Sequence, residues 1–269
     1  MKANNLTICL PTTGCTRNCD YCISKMTPSA PHPLKYLSSV QLRKATSFGK
    51  TSGVNSVLLT ARGEPLLSYE NVLEAANVVS KDFLLPCELQ TNGDLLTVDK
   101  IEELIVAGID VFAISINSPL QPEEQQKVMA YIRDYNKVLR WTVLLHDMNM
   151  EFSYVVWIKW AKEARVNQLS FRKLTIPSIG VGTEYDRWIM NHTPYDNEWV
   201  TKLKNYCDNS PIVRKLSFGP TIVDIEGIAV TYFPYCLDIG ENSEEFRSLI
   251  LREDGHLYTA WDSLASILF

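Results

Sequence analysis

Two rhythms of hydrophobic and polar positions alternate along the first two thirds of the chain. Short apolar runs rich in β-branched or aromatic residues recur as "LTICL" (6–10), "NSVLLTA" (55–61), "CELQT" (87–91), "DVFAISI" (110–116), "LRWTVLL" (139–145) and "QLSFRKL" (168–174). Each predicts a strand. Helical spacing fills the gaps. "SYENVLEAANVVSKDF" opens at Ser68, a good N-cap, and places Val72, Ala75, Ala76 and Val79 along one face. "TVDKIEELIVAG" runs from Thr97 to Gly108, a glycine suited to ending a helix. "LSSVQLRKATSFGK", "PEEQQKVMAYIRDYNK" and "SYVVWIKWAKEA" predict three more helices.

Strand and helix in alternation predict a parallel sheet with helices outside, closing partly or fully into a barrel. The rhythm breaks after Leu174. Residues 176–194 read as loop, with Pro177, Gly180 and Gly182, and residues 197–209 read as one helix. From Ile222 the chain reads as strands and turns, with Glu226-Gly227 and Asp254-Gly255 as turn pairs. The expected architecture is α/β: a core over 1–175 and a short mixed extension over 176–269, a helix plus β-hairpins covering the barrel mouth.

With 269 residues and 46% hydrophobic content, the chain has material for one large core. A net charge of −5 gives no global basic field for nucleic acid or acidic membranes, although "WIKWAKEAR" and "RKL" leave a local basic patch open. No run approaches the roughly 20 apolar residues that span a bilayer, and "MKANNLTICL" lacks a signal-peptide pattern. Three of the seven cysteines are clustered, which points to metal in a reducing compartment and not to a disulfide framework. A cytoplasmic protein is expected.

The cluster is "TGCTRNCDYC", with Cys15, Cys19 and Cys22 spaced C-x3-C-x2-C. It follows the first strand, at the sheet edge where barrel enzymes carry their active sites. Three thiolates leave one iron of a [4Fe–4S] cube without a protein ligand. The other reading is zinc in a non-enzymatic protein, with His32 of "SAPHPL" as fourth ligand. It predicts colourless protein where a cluster predicts brown.

"CTRNCDYC" resembles the signature of the radical S-adenosylmethionine (SAM) superfamily, with Tyr21 matching its usual aromatic before the third cysteine. "ARGEPLL" resembles the family's Gly-Gly-Glu motif: Gly63, Glu64 and Pro65 match, while Arg62 stands in place of the first glycine. "LQTNGDLL", with Asn92, and "ISINSP", with Ser115 and Asn117, are similar to further family turns. The resemblance covers residues 6–174 and implies a partial (βα)6 TIM-like barrel. It implies a [4Fe–4S] cluster on Cys15, Cys19 and Cys22, with SAM held by Tyr21, Gly63, Glu64, Pro65, Asn92, Ser115 and Asn117. Glu64 is the expected acceptor for the SAM ammonium and Arg172 the expected partner of its carboxylate, since an arginine in an apolar strand needs an anion. His146 is the candidate acid or base. The implied chemistry is reductive cleavage of SAM to a 5′-deoxyadenosyl radical that abstracts hydrogen from a substrate, with electrons from a reductant protein such as flavodoxin or ferredoxin.

The substrate is less legible. A small molecule or nucleotide is the first expectation, and Tyr232, Tyr235, Tyr258 and Trp261 offer either stacking or packing surfaces. A ribosomal peptide, a tRNA or a glycyl-radical enzyme is the alternative. "LILREDGHLYTAW" resembles the hairpin of auxiliary-cluster extensions in the superfamily, with Ala260 where a cysteine is expected. Cys9, Cys87, Cys207 and Cys236 are scattered and read as buried hydrophobes unless they hold a second cluster. Glu226, Asp238 and His256 are further substrate-binding candidates.

Overall fold

The computed structural model describes residues 1–118, 122–177, 181–193, 197–217, 219–234 and 245–269. The six expected strands are β1 (Lys2–Leu10), β2 (Val57–Ala61), β3 (Cys87–Thr91), β4 (Val111–Ser115), β5 (Val138–Leu145) and β6 (Gln168–Lys173). They pair in parallel and in chain order. The helices are α1 (Ile23–Met26), α2 (Ser39–Thr51), α3 (Tyr69–Asn77), α4 (Val98–Ala107), α5 (Glu123–Asp134), α6 (Asp147–Met150), α7 (Tyr154–Glu163), α8 (Glu184–His192) and α9 (Glu198–Asp208).

Strand register sorts the residues onto two faces. A Cβ on Gly49 of α2 would stand 3.6 Å from the Leu6 Cβ, so Leu6 looks toward the helices. Its register mates Val57, Cys87, Phe112 and Trp141 lie on the same face or one pleat along it, all at most 2% exposed. Each such side chain contributes about 1.5–3 kcal/mol when fully buried. The alternate positions, among them Cys9, Thr60, Gln90, Ser115, Thr142, Ser170 and Arg172, face the barrel interior. Low in that interior, Arg140 donates to Glu88 at 2.6 Å and to Gln168 Oε1 at 2.7 Å, making a polar floor.

Local signals set most helix boundaries. Ser38 and Gln41 form a capping box on α2, Thr97 caps α4, and Ser153 caps α7. Gly108 ends α4 at φ 112°. Ser68 differs from expectation: it precedes α3, but its side chain makes no capping bond. A 3-10 turn over Pro65–Ser68 runs directly into the helix and leaves no extended residue to cap from. The 176–194 stretch is also not all loop, because α8 lies within it. Thr183 accepts from the Asp186 amide, and Ile189 is buried, so one capped, half-apolar turn pattern sufficed between the glycines and prolines.

The extension supplies β7 (Ile212–Lys215), β8 (Thr221–Ile225), β9 (Ile228–Phe233), β10 (Glu245–Leu251) and β11 (Leu257–Tyr258). Both expected hairpins form, with Glu226 and Gly227 at φ 54° and 87° in the first turn. Their place was not anticipated. β9 pairs in parallel with β6 and β10 in parallel with β1, so the extension strands flank the core sheet and do not lie over the mouth. The order is β11-β10-β1-β2-β3-β4-β5-β6-β9-β8-β7. The sheet curls until its two sides touch: Arg247 of β10 stands 5.8 Å from the Phe233 ring of β9, and Ser217 donates to Asn4 at 2.6 Å. Of the extension, α8 packs its Trp188 on the Tyr21–His146 corner at the mouth, and Ile176 joins the same apolar cluster.

Candidate active site

The three thiols leave the C-terminal end of β1 on a loop without regular structure, Cys15 exposed and Cys19 and Cys22 half-buried. This loop docks on the turn after β2. The Glu64 amide donates to the Gly14 carbonyl at 2.9 Å, and the Thr12 hydroxyl donates to the Glu64 carbonyl at 3.1 Å. Gly63 is obligatory there, since a Cβ would collide with Gly14. Arg62 points elsewhere, toward the segment after Cys22.

The Glu64 carboxylate is 1% exposed and already surrounded by donors. Thr91 Oγ1 donates at 2.6 Å and the Asn92 amide at 2.8 Å, while the Leu66 amide donates at 3.1 Å. Burial pushes its pKa above the ordinary range, although these three hydrogen bonds pull the other way. Glu64 thus joins the β2 turn to the β3 turn. From that turn the Asn92 side chain donates to Thr16 Oγ1 at 2.8 Å and approaches the Cys15 sulfur at 3.7 Å. Pro65 is buried and starts the 3-10 turn.

Arg17 and Asp94 complete the cradle, and sequence reasoning missed both. Arg17 forms a two-pronged pair with Asp94 and donates to the Asn92 carbonyl at 2.8 Å and the Ser115 carbonyl at 3.3 Å. Asp94 is held below the usual carboxylate range by Arg17 despite partial burial. The available signal was an arginine inside the cysteine motif and an aspartate just after the Asn-Gly turn. Ser115 therefore meets the loop through its carbonyl, whereas its side chain faces the interior.

Further along the same loop, Tyr21 donates to Asn117 Oδ1 at 3.1 Å and stacks on His146, with ring centroids 5.0 Å apart. Trp188 of α8 packs against both rings at 5.5 and 5.8 Å. His146 is 1% exposed, and burial lowers its pKa below the ordinary histidine value. The Asn149 amide group faces Nε2 at 3.1 Å and also gives a hydrogen to the Leu144 carbonyl. That assigns the acceptor role to Nε2 and the proton to Nδ1. The Asp147 carboxylate lies 3.7 Å from Nδ1, too far for a hydrogen bond.

The remaining candidates disperse. Arg172 sits on β6 with Nε 3.3 Å from Ser170 Oγ and its guanidinium 5.1 Å from the Phe233 ring. Arg140 belongs to the floor. Glu226 pairs with Lys162 on the surface, and His256 lies 3.5 Å from Asp254. Tyr258 is buried and bonds Asp254, and Tyr232 packs on the main core. Cys9 and Cys87 are fully buried with thiols pushed far up by desolvation, and Cys207 is raised to about 11 by the same cause. Tyr235, Cys236 and Asp238 lie outside the described residues.

Among the described residues, no three His, Cys, Asp or Glu side chains converge tightly enough to enclose a single ion. Tetrahedral zinc would need donors within about 4 Å of one another. A cluster spreads its thiolates over separate irons, and N–H groups aimed at sulfur suit it. The Arg17 amide, 3.4 Å from the Cys15 sulfur, and the Asn92 amide provide such groups. Three thiols on one loop, with N–H groups at the Cys15 sulfur, are donor chemistry that suits an iron–sulfur cluster.

Fold and site together define an α/β partial barrel with a three-thiol loop at its mouth. Residues 9–165 match the model of the Radical SAM superfamily, and the chain belongs to that superfamily. Membership implies the use of SAM and an iron–sulfur cluster. The chain is 34% identical over 95 residues to 7-carboxy-7-deazaguanine synthase of Clostridium acetobutylicum, covering 35% of this chain and 41% of that protein. It is 26% identical over 178 residues to GTP 3′,8-cyclase of Actinobacillus succinogenes, covering 60% and 50%. In fold it is similar to SuiB of Streptococcus suis bound to S-adenosylmethionine, with TM-score 0.65, 14% identity, and 98% and 61% coverage. The chain thus spans about half or less of the length of these curated relatives. No helix among the described residues is long and apolar enough to cross a membrane.

Proposed function

We propose that this chain carries a [4Fe–4S] cluster on Cys15, Cys19 and Cys22, cleaves SAM reductively, and acts on a small-molecule or nucleotide-type substrate. The observation that carries the reading is the junction of three turns around Glu64. It fixes Cys15 and Asn92 in one place without using a thiol as a structural contact in the core. When bound, the cluster and SAM supply a 5′-deoxyadenosyl radical able to abstract hydrogen.

The chain's own groups divide the remaining work. Arg17 and Asn92 orient the loop and place N–H groups on the Cys15 sulfur. The Glu64 carboxylate accepts from three protein donors and so sets the turn carrying Asn92, while Oε2, with one donor, keeps an acceptor site for the SAM ammonium. Tyr21 and Asn117 form a polar edge beside these groups, and Trp188 shields Tyr21 and His146 from water. Arg172, Ser115 and the hydroxyls above the Arg140–Glu88 floor give the interior a polar lining suited to a hydroxylated, anionic ligand. The names of two relatives, a deazaguanine synthase and a GTP cyclase, support the nucleotide-type reading. The extension strands β9 and β10 act as part of the barrel wall, with α8 as its roof, and the reductant is a flavodoxin- or ferredoxin-like protein in the cytoplasm.

The test is anaerobic reconstitution followed by reduction with SAM. About four irons per chain and release of 5′-deoxyadenosine are expected, with both lost in Cys19→Ala. A colourless wild-type protein that binds zinc and leaves SAM intact would overturn the assignment.

A further inference from the structure

We propose that Arg62, Arg252 and Glu253 are positioning residues for the cysteine loop: they clamp the arm that follows Cys22 and make the C-terminal hairpin part of the cofactor site. The inference rests on the cluster reading above.

Sheet order carries the first step. β1 lies between β2 and β10, and the thiol loop leaves its C-terminal end. Arg62 follows β2, and Arg252 follows β10. The two guanidinium groups therefore approach the arm from opposite sides of β1. They meet on one atom: Arg62 Nη1 donates to the Pro28 carbonyl at 3.1 Å, and Arg252 Nη2 donates to the same oxygen. Arg62 also donates to the Ser24 carbonyl, to the Thr27 carbonyl at 2.8 Å and to the Thr27 hydroxyl at 2.9 Å.

Glu253 stands between the two arginines, with Oε1 3.7 Å from Arg62 Nε and 3.7 Å from Arg252 Nη2. The same oxygen accepts the Ala30 amide at 3.0 Å, and the Glu253 carbonyl accepts the Leu34 amide at 2.8 Å. The charged side chains thus pin the arm from Ser24 to Ala30, and the Glu253 backbone carbonyl holds it again at Leu34.

Burial distinguishes this triad from a surface network. Arg252 is 0% exposed and Glu253 5%. Arg252 Nε and Nη1 and Glu253 Oε2 have no hydrogen-bond partner among the described residues, and the Tyr258 ring lies 5.2 Å from the Arg252 guanidinium. An arginine–carboxylate–arginine group buried in this way is a poor means of gaining stability, since apolar residues of similar volume serve as well or better. Apolar residues cannot satisfy the carbonyls of Ser24, in the single turn of α1, and of Thr27 and Pro28 just beyond it, which have no ladder partners. A planar fork meets several such acceptors at once, whereas a lysine offers a single point of charge. This accounts for arginine at position 62, where the resembling motif has glycine. The side chain is directed away from the crowded Gly63–Gly14 contact and into the arm.

Full-length wild type, Arg62→Lys, Arg62→Met and Glu253→Gln test the proposal. Iron per chain is measured after anaerobic reconstitution, and amide hydrogen exchange and thermal melting are measured on the metal-free chains. In Arg62→Met and Glu253→Gln, exchange across residues 24–34 rises by more than about tenfold while the amides of β3 to β5 keep their protection. Iron falls below half the wild-type value in both, and Arg62→Lys lies between. Wild-type exchange and iron in both variants would overturn the clamp. So would a uniform rise in exchange across the sheet with a lower melting temperature, which marks a stability role alone. If wild type itself takes up no iron, the cluster reading fails, and the exchange pattern of the metal-free chains still decides whether the triad holds the arm.

Discussion

A Cβ at position 63 would stand 1.8 Å from the carbonyl oxygen of Gly14, so the β2 turn and the base of the cysteine loop touch backbone to backbone. That contact delivers the thiols to the Glu64 junction. In Gly63→Ala the loop must lift, and the Glu64 N–H to Gly14 bond is lost with it. Overpacking of this kind costs about 1–3 kcal/mol. The expected result is a lower urea midpoint together with loss of most bound iron, while Gly227→Ala, with nothing within 4 Å of its Cβ, retains iron.

Glu64 gives a pH-dependent test. Its folded pKa is raised, chiefly by burial, so the folded state holds its proton more tightly than the unfolded chain. The stability this contributes is full below the unfolded pKa and declines as pH rises through the folded value. Glu64→Gln removes that dependence. It also turns an amide toward the Asn92 N–H or the Thr91 and Leu66 donors, leaving at least one buried donor unmet at about 1–3 kcal/mol. Chemical denaturation of both proteins from pH 4 upward is expected to show a stability difference that narrows with pH. A parallel offset at every pH would remove Glu64 as the titrating group.

Arg17 and Asp94 are partly exposed, with side-chain exposures of 24% and 30%, so their pair contributes little to global stability, about 1 kcal/mol or less. Their effect is local. Asp94→Asn is expected to leave the melting temperature nearly unchanged and to speed removal of iron by a chelator. Equal chelation rates in the two proteins would show that Asn92 alone steadies the loop.

The repeated strands and the position of the cysteine loop were legible because each has a local cause. Alternating apolar runs bury one face, Thr97 and Gly108 bracket α4, and three cysteines in eight residues mark the loop after β1 as the place to look for chemistry. What escaped depends on contacts between distant segments. Nothing near Ile250 says that β10 lies beside β1, because that register is set by burial against Thr7 from the other end of the chain. Arg62 reads locally as a departure from a glycine motif, and its partners at Ser24 to Pro28 appear only once the sheet has formed. The burial of Glu64 behind Thr91 and Asn92 cannot be seen from its own turn. The helix α8 was hidden because its apolar face is only one turn deep.

That helix supplies the last prediction. His192 Nδ1 lies 2.6 Å from Asp147 Oδ2, and the imidazole stacks on Trp188 at 4.2 Å, which in turn packs on Tyr21. The hydrogen bond from His192 holds the Asp147 carboxyl below its usual range. A depressed carboxyl contributes stability above its unfolded pKa and loses it as pH falls through the folded value, here below about pH 4. With exposures of 37% and 48% the pair is worth about 1 kcal/mol at most, enough to release one end of α8 without unfolding the sheet. The emission of Trp188, isolated as the difference between wild type and Trp188→Phe, is therefore expected to shift to the red on acidification before the global transition. Asp147→Asn is expected to show the shifted emission already at neutral pH. An Asp147→Asn spectrum identical to wild type would mean that stacking on His146 and Tyr21 alone holds the roof.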